Sequence, residues 1–331
     1  MKTLLRLFIF CLFSVNLVKG QDIQMTQFYA MPTYLNPAFA GANVCSRVSL
    51  MYRDQWRGLD AYRSKMVGID HAIGKSNWGI GLLVGQDEAG AGLLKSSMIN
   101  PAVSYEAHFN RVTSLRLALQ PGIGMRSISY DHLTFGDQLY RGGNVATVES
   151  VPGSRTFFDL GAGAILSHKI YWAGISLAHL NRPNESLAGH SDSRLPVRFS
   201  FHGGAKLDLN REEKDPRYKQ FLSPVIHYRA QGKFDQVDAG FYYNKGFFTL
   251  GLWYRGLPLI KSYKPGYQNN DALALLAGIQ LTKMRVGYSY DNTISNLTGI
   301  SKGAHEITLS FELCTIKHKK RKMLLISCPK F

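Results

Sequence analysis

The sequence predicts an all-β protein, namely a closed antiparallel β-barrel of about fourteen strands in an outer membrane. Three observations predict it: apolar and polar residues alternate with period two from residue 44 onward, no later segment could form a membrane-spanning helix, and short and long connections alternate along the chain. The amino-acid composition is consistent with a folded protein rich in turns. Hydrophobic residues make up 45% of the chain and aromatic residues 12%, which excludes disorder, and 32 Gly among 331 residues favour many turns.

The first element is a predicted signal peptide, residues 1–20. Lys2 and Arg6 precede an apolar run from Leu7 to Val18, and the small Gly20 stands before the polar Gln21. This run is too short for a membrane span of about 20 residues, and a buried core helix is the alternative. We therefore expect an exported protein, and any membrane form of it must be a barrel.

Strands with two different faces follow. In the last of them, Ile307, Leu309 and Phe311 alternate with Glu306 and Thr308. A soluble sandwich would place the apolar row inside, whereas an outer-membrane barrel would place it against lipid and turn the polar row into the lumen. The alternation alone does not decide between these two architectures.

Strand number and loop length favour the barrel. Strands are predicted to start near residues 44, 64, 77, 94, 113, 157, 170, 196, 221, 234, 246, 271, 283 and 304. Connections after even-numbered strands are short except 211–220, and those after odd-numbered strands are long except 232–233. Outer-membrane barrels have an even strand number, short periplasmic turns and long external loops, and a sandwich is not expected to show this parity.

This assignment divides the chain into four parts and places both termini in the periplasm. They are the signal peptide 1–20, a periplasmic N-terminal segment 21–43, the transmembrane barrel 44–314 and a basic periplasmic tail 315–331. Aromatic residues near strand ends, among them Tyr228, Tyr242, Trp253 and Tyr254, are expected to form girdles at the membrane interfaces.

The formal net charge of +16 includes a basic run in the tail. Nucleic-acid binding would suit such a run, but an exported chain has little access to nucleic acid, so a solvated tail or a docking site for an acidic periplasmic partner is preferred. The candidate partner-binding residues are Tyr34, Asn36, Pro37, Phe39, Lys317, Lys319, Lys320, Arg321 and Lys322. The alternative for Tyr34 and Phe39 is that they only seal the floor of the barrel.

Three cysteines remain after removal of the signal peptide. Cys45 opens the first strand and Cys314 closes the last, so a bond between them would staple neighbouring strands, while a bond from Cys314 to Cys328 would fold the tail back. Three unpaired thiols are the third alternative. No C-x-x-C pair or nucleophile elbow is present, so we expect no metal, no cofactor and no catalytic residues.

Several motifs are distributed along the chain: Gln21 to Tyr29, Tyr34-Leu35-Asn36-Pro37-Ala38-Phe39-Ala40-Gly41, Tyr52-Arg53-Asp54-Gln55-Trp56, Tyr288-Ser289-Tyr290-Asp291, His305-Glu306-Ile307 and the closing Cys328-Pro329-Lys330-Phe331. Together they closely resemble the PorP/SprF family of type IX secretion membrane proteins. The resemblance runs over essentially the whole mature chain. It implies an outer-membrane barrel that scaffolds secretion or surface attachment of cargo proteins, and of adhesins in species with gliding motility.

The resemblance also implies partners. These are periplasmic type IX components, including an OmpA-like peptidoglycan-binding lipoprotein, and the C-terminal domain of a secreted cargo or adhesin; outer-membrane lipid surrounds the barrel. The alternative function is a passive porin, since a lumen of this size could hold water unless it is filled, and residues 131–156 form a loop long enough to fold inward. An enzyme is a third, less favoured class.

Overall fold

The computed structural model describes residues 22–43, 45–74, 76–90, 94–130, 133–143, 145, 147–148, 153–187, 192–257, 269–295 and 298–314. In these residues the sheet has fourteen strands: β1 Ser46–Gln55, β2 Tyr62–Ala72, β3 Trp78–Ala89, β4 Leu94–His108, β5 Thr113–Ile128, β6 Ser154–His168, β7 Tyr171–Ala178, β8 Arg198–Ala205 with its continuation Leu207–Asp208, β9 Gln220–Gln231, β10 Phe234–Lys245, β11 Phe248–Gly256, β12 Asn270–Gln280, β13 Met284–Thr293 and β14 Ala304–Leu313. The helical pieces are α1 Pro32–Leu35, α2 Gly136–Tyr140 and the 3-10 turns Phe28–Ala30, Pro37–Phe39 and Arg57–Leu59.

The sheet is antiparallel and closed. Each strand pairs with its neighbours in sequence, and β1 pairs with β14 from Ser46 opposite Leu313 to Gln55 opposite Ala304. Closure pairs the edges that an open sheet would expose. The predicted barrel of about fourteen strands is confirmed, and every predicted strand start lies within three residues of an observed one.

The two faces of the strands follow the predicted alternation. On β14, Ile307 is 47% exposed on the outer face, whereas Glu306 is 0% exposed and faces the lumen. The outer face of the barrel is rich in aliphatic and aromatic side chains, as a wall in contact with lipid requires.

Two of the aromatic residues expected in the interface girdles face the lumen instead. Tyr242 and Trp253 are buried, each packed opposite a glycine of the paired strand, Gly251 and Gly240 respectively. A glycine leaves room inside the barrel for a large ring on the opposite strand. The aromatic character of these side chains alone therefore did not predict that they face the lumen.

The barrel has two distinct ends. Connections such as 169–170 and 246–247 lie at one end, called here the short-turn end, and connections such as 129–153 and 179–197 lie at the other, called the long-loop end. The two expected exceptions are observed, because 209–219 is long and 232–233 is short.

Residues 22–43, called here the plug, lie inside the barrel. At the long-loop end Gln24 accepts a hydrogen bond from Nε2 of Gln55 (3.0 Å), and at the short-turn end Asn43 donates to Glu312 (3.0 Å). The plug therefore crosses the lumen from one end to the other. The sequence predicted a periplasmic segment 21–43, with both termini at the short-turn end. Cys314 lies at the short-turn end, whereas Asp22 lies at the long-loop end beside His179.

The predicted signal peptide 1–20 and tail 315–331 lie outside the described residues. No helix in the described part of the chain is long and apolar enough to cross a membrane.

The luminal plug and the cavity above it

The plug is folded by local signals. Pro32 occupies the first turn of α1, where its missing N–H costs nothing, and Asn36 is extended (φ −159°, ψ 121°), as a residue before proline prefers. Oδ1 of Asn36 accepts a hydrogen bond from the backbone N–H of Ala38 (3.0 Å) and so caps the 3-10 turn that begins at Pro37. These contacts hold the plug in compact turns that fit the lumen.

Asn36 also fixes the plug to the barrel wall. Its Nδ2 donates to the backbone oxygens of Ala164 (3.1 Å) and Ile175 (3.0 Å) on β6 and β7. A Cβ at Gly163 would clash with Oδ1 of Asn36, and a Cβ at Gly174 would clash with the ring of His202 and lie 3.0 Å from Nδ2 of Asn36, so these two glycines leave the space that the two side chains occupy. The close approach requires glycine at both wall positions.

An aromatic cluster fills the middle of the lumen. Phe28 packs edge-on against Trp253, with ring centroids 5.0 Å apart, and Phe39 stacks on His202 at 5.5 Å. Nε1 of Trp172 donates a hydrogen bond to the hydroxyl of Tyr29 (2.8 Å). Fully burying one phenylalanine side chain contributes about 1.5–3 kcal/mol, so the cluster is a substantial part of what retains the plug.

Five charged residues of the barrel wall hold the plug near the long-loop end through a network of ion pairs, and they are called here the latch. They are Arg53, Asp238, Arg255, Asp291 and Glu306. All five are at least 97% buried. Two guanidinium groups thus face three carboxylates, and the plug supplies further donors.

The plug satisfies the remaining acceptors of the latch. The backbone N–H groups of Thr26 and Gln27 donate to the two oxygens of Glu306 (2.8 and 2.7 Å), and Oγ1 of Thr26 donates to Asp291 (2.7 Å). A buried carboxylate without partners is strongly unfavourable. The buried carboxylates of the barrel wall therefore have all of these hydrogen-bond donors only when the plug is in place.

Asp22 forms a second anchor at the long-loop end. Its carboxylate lies 2.8 Å from Nε2 of His179 and 2.8 Å from Nη1 of Arg198, while Nδ1 of His179 lies 2.9 Å from Asp159. Burial by itself would raise the pKa of Asp22, but the charges of His179 and Arg198 outweigh it and hold that pKa well below its usual range. Burial by itself would lower the pKa of His179, but the charge of Asp22 and the hydrogen bond to Asp159 raise it to about 10.

Above the plug, a cavity of about 690 Å³ lies at the long-loop end of the lumen. The plug residues Asp22, Ile23, Gln24 and Tyr34 contribute to its lining, and the rest comes from the strands and from residues of the long loops, such as Glu185 and Leu195. The hydroxyl of Tyr34 donates to the backbone oxygen of Ile23 (2.6 Å) and accepts from Arg198 (2.8 Å).

The candidate partner-binding residues fall into two groups. Asn36, Pro37 and Phe39 are buried in the lumen, and Tyr34 is partly buried beside the cavity. Partner contacts by Asn36, Pro37 and Phe39 would require the plug to move, whereas Tyr34 lines the cavity; partner contacts by all four side chains stay a prediction. Lys317, Lys319, Lys320, Arg321 and Lys322 lie outside the described residues.

Cys45 and Cys314 form a disulfide at the short-turn end, with Cα atoms 4.8 Å apart. It joins the chain just before β1 to the chain just after β14, across the seam of the barrel. Cys328 lies outside the described residues. Among the residues that the structure describes, Cys45, Glu312 and Cys314 bring potential metal-ligating atoms within 4.8 Å of one another, and the two sulfurs are bonded to each other.

Sequence reasoning did not identify the latch or the anchor at Asp22. The available signal was the charge on lumen-facing rows: Arg53, Asp291 and Glu306 each stand on the inward row of a strand. They also belong to motifs on which the family resemblance was based, and the structure brings three of those motifs together around Thr26 and Gln27.

Comparison with known proteins gives a family and distant structural neighbours. The family model described as "Type IX secretion system membrane protein PorP/SprF" matches residues 17–311. A search of curated proteins finds no match. Similar solved structures include the Pseudomonas putida toluene transporter TodX (9% identity, 84% of this chain and 92% of that chain covered, TM-score 0.46) and the monoaromatic hydrocarbon channel CymD (11% identity, 89% and 94% covered, TM-score 0.45).

Proposed function

The chain belongs to the PorP/SprF family of type IX secretion system membrane proteins, and from this premise we propose that it is a non-enzymatic scaffold of the outer membrane. The observation that carries the proposal is the plug: Phe28, Met31, Asn36 and Phe39 are at least 97% buried in the lumen, where an open pore would hold water. A filled lumen suits a barrel whose role is to hold other proteins in place. It argues against the passive porin.

The proposed orientation places the short-turn end in the periplasm and the long-loop end outside the cell. Its support is the distribution of connection lengths, since barrels of this class have short periplasmic turns. The disulfide and the tail would then face the periplasm, and Asp22 and the cavity would face the exterior.

Antibody access on intact cells tests this orientation. An epitope inserted after Gly142, which is exposed at the long-loop end, should be detected without permeabilisation. An epitope inserted after Glu212, exposed at the short-turn end, should be detected only after permeabilisation. The reverse result would contradict the orientation.

Partners are proposed for both ends. At the short-turn end, the basic tail would dock periplasmic type IX components, including an OmpA-like peptidoglycan-binding lipoprotein. At the long-loop end, the C-terminal domain of a secreted cargo or adhesin would be held at the surface. In gliding species such an adhesin would serve motility.

Co-purification from native membranes tests the scaffold. Deleting residues 317–322 while keeping Phe331 should reduce recovery of periplasmic components without reducing the heat-modifiable barrel. A matched variant with the same six residues replaced by serine separates charge from length. Full recovery with both variants would contradict docking by the tail, and failure to recover any secretion component with the intact protein would contradict the scaffold.

A further inference from the structure

We propose that a groove on the membrane-facing wall of the barrel binds one anionic, phosphate-bearing lipid of the leaflet at the long-loop end. The groove, called here the outer groove, is formed by β14 and β1 to β4 and has a volume of about 500 Å³. The proposal needs the barrel to lie in a membrane, but it does not depend on which end of the barrel faces the periplasm.

The half of the outer groove nearer the short-turn end is apolar. In the register of the sheet, Leu50 lies opposite Leu309 on one side and Val67 on the other, and Val67 lies opposite Val84. These four side chains line the groove together with Ile307. They present hydrocarbon to hydrocarbon, as the lipid-facing band of a barrel does, so this half accepts an acyl chain.

A row of polar side chains borders the outer groove on the side of the long-loop end. Tyr52 lies opposite Lys65, Lys65 opposite Gln86, and Gln86 opposite Ser97, and all four line the groove. Lys65, Gln86 and Ser97 each stand three residues inside the end of their strand, which is about 10 Å along the strand. The wall is therefore polar below its rim, at a depth where lipid headgroups meet acyl chains.

This polar row is confined to one side of the barrel. On the opposite wall, the residues three positions inside the long-loop ends of β9 and β10 are Tyr228 and Val237, which lie opposite each other. A general interface girdle would be similar on both sides. The row of the outer groove is thus a local feature of β1 to β4.

The polar row has donors to spare. Among the residues that the structure describes, the side chains of Tyr52, Gln86 and Ser97 make no hydrogen bond, and Lys65 lies 3.5 Å from Glu88. Tyr52 is 42% exposed and the side chain of Lys65 52%, so both can be reached from the membrane. A polar group against hydrocarbon without a partner is unfavourable. All four side chains can donate, so the row favours a ligand that brings acceptor oxygens to this depth.

The charges around the outer groove favour an anion. At the strand ends, Glu88 lies between Arg63 and Lys95 on the two neighbouring strands, and Lys65 approaches it from below. Three cations therefore surround one carboxylate. Arg63 has a second acid partner in Asp60, at 2.8 Å.

The complete set of charges has the same sign. Arg57 lies 3.9 Å from Asp54, so this pair adds no net charge. Lys95 has no ion pair in the described part of the chain. On the outer faces of β1 to β4 and in the connection 56–61, four cations therefore face three carboxylates, a net charge of +1: Arg57, Arg63, Lys65 and Lys95 against Asp54, Asp60 and Glu88.

A phosphate-bearing lipid satisfies both halves of the outer groove. Its phosphate oxygens accept hydrogen bonds and carry the negative charge that offsets the excess cation, and its acyl chain covers the apolar half. A membrane-spanning segment of another protein would satisfy its own backbone hydrogen bonds internally, so its backbone would offer few acceptors to Gln86 and Ser97.

Native mass spectrometry of the full mature protein in a non-ionic detergent tests the proposal. Protein freed of lipid is titrated with palmitoyl-oleoyl phosphatidylglycerol and, in parallel, with palmitoyl-oleoyl phosphatidylcholine, which has the same chains but no net charge. The anionic lipid should fill one site per barrel before any other, and it should bind there more tightly than the zwitterionic lipid.

One pair of variants tests the headgroup site. Lys65→Gln/Lys95→Gln should weaken binding of the first phosphatidylglycerol roughly tenfold, because lysines near a membrane surface attract anionic lipid. Lys233→Gln/Lys245→Gln removes the same charge from β10 and the connection before it, on the opposite side of the barrel, and should leave the affinity unchanged.

A second pair tests the acyl-chain site without changing any charge. Val84→Trp fills the apolar half of the outer groove and should weaken binding of the first lipid, whereas Ile226→Trp, at a similarly exposed outer position of β9, should not. Heat-modifiability shows that each variant forms a barrel.

The proposal is overturned if the two lipids bind equally well, if neither fills a distinct first site, or if Lys65→Gln/Lys95→Gln and Val84→Trp bind phosphatidylglycerol as tightly as the wild type. It is also overturned if these variants keep their lipid affinity but lose a protein that co-purifies with the wild type from native membranes, because the outer groove would then hold a protein.

Discussion

Arg53 and Glu306 face each other across the seam where the first strand meets the last, and both hold the plug. Nη1 of Arg53 lies 2.9 Å from Oε2 of Glu306 and donates to Oγ1 of Thr26 (3.0 Å), while Glu306 accepts the backbone N–H groups of Thr26 and Gln27. Closure of the barrel therefore brings together the two residues that hold the plug. Neither residue could act on the plug in this way in an open sheet.

The first prediction concerns this pair. Arg53→Ala should loosen the plug, because removing one partner of a buried ion pair costs about 3–5 kcal/mol and leaves Glu306 facing only the N–H donors of the plug. In planar bilayers the wild type should be silent, and the variant should show transient openings.

Arg63→Ala is the control for that prediction. Arg63 pairs with Asp60 on the exposed outer surface, where an ion pair contributes about 0–1 kcal/mol, so this variant should remain silent. Equal conductance of the two variants would show that Arg53 does not retain the plug.

The second prediction concerns the whole plug. Deleting residues 22–40 should convert a silent barrel into one with a steady conductance, because it removes the aromatic cluster from the lumen. Single-channel recording and heat-modifiability are measured on the same preparation. A deleted form that folds yet stays silent would mean that loops close the lumen without the plug, and a wild type with a steady open state would support the porin.

The strands could be predicted from the sequence because the signals are local. Alternation with period two and clusters of turn residues act within about ten residues, so even the exceptional connections 209–219 and 232–233 were located correctly. The direction in which the side chains of Tyr242 and Trp253 point was not predicted correctly, since it depends on glycines of the paired strand.

The plug and the latch could not be predicted in the same way. The contacts of Thr26 with Asp291 and Glu306 join residues 265 and 280 positions apart, and no local pattern encodes such a pairing. The sequence predicted that Tyr34 and Phe39 bind a partner or only seal the floor of the barrel, and that residues 131–156 form a loop long enough to fold inward. The structure fills the lumen with residues 22–43.

The third prediction concerns the disulfide between Cys45 and Cys314. The bond links positions 269 residues apart, and in the chain-entropy view a bond that closes so long a loop stabilises the folded state by about 2–5 kcal/mol. Cys45→Ser/Cys314→Ser should unfold at a lower temperature than the wild type, as read from the heat-modifiable band shift on non-reducing gels.

Cys328→Ser is the control for the disulfide prediction, and its band should shift at the wild-type temperature. Non-reducing mass spectrometry checks the pairing directly. Three free thiols, or a bond from Cys314 to Cys328, would contradict it.

The fourth prediction concerns pH, because the anchor of Asp22 depends on a charged His179. The charge of Asp22 and the hydrogen bond to Asp159 outweigh burial and raise the pKa of His179 to about 10, against about 6.5 when the side chain is free. The stabilisation by His179 is thus complete below about pH 6.5 and is lost as the pH rises through about 10. Asp22 has a lowered pKa, so its contribution is complete above about pH 4 and declines at lower pH.

The anchor should therefore be strongest between about pH 4 and 6.5, and the equilibrium for its release should increase about tenfold per pH unit between about 6.5 and 10. A nitroxide spin label at Gln24→Cys, in a Cys328→Ser background, reports release as increased mobility. His179→Gln keeps a hydrogen-bonding side chain without the charge, so its label should be more mobile and should respond little to pH over this range. An equal pH response in both proteins would assign the titration to a group other than His179.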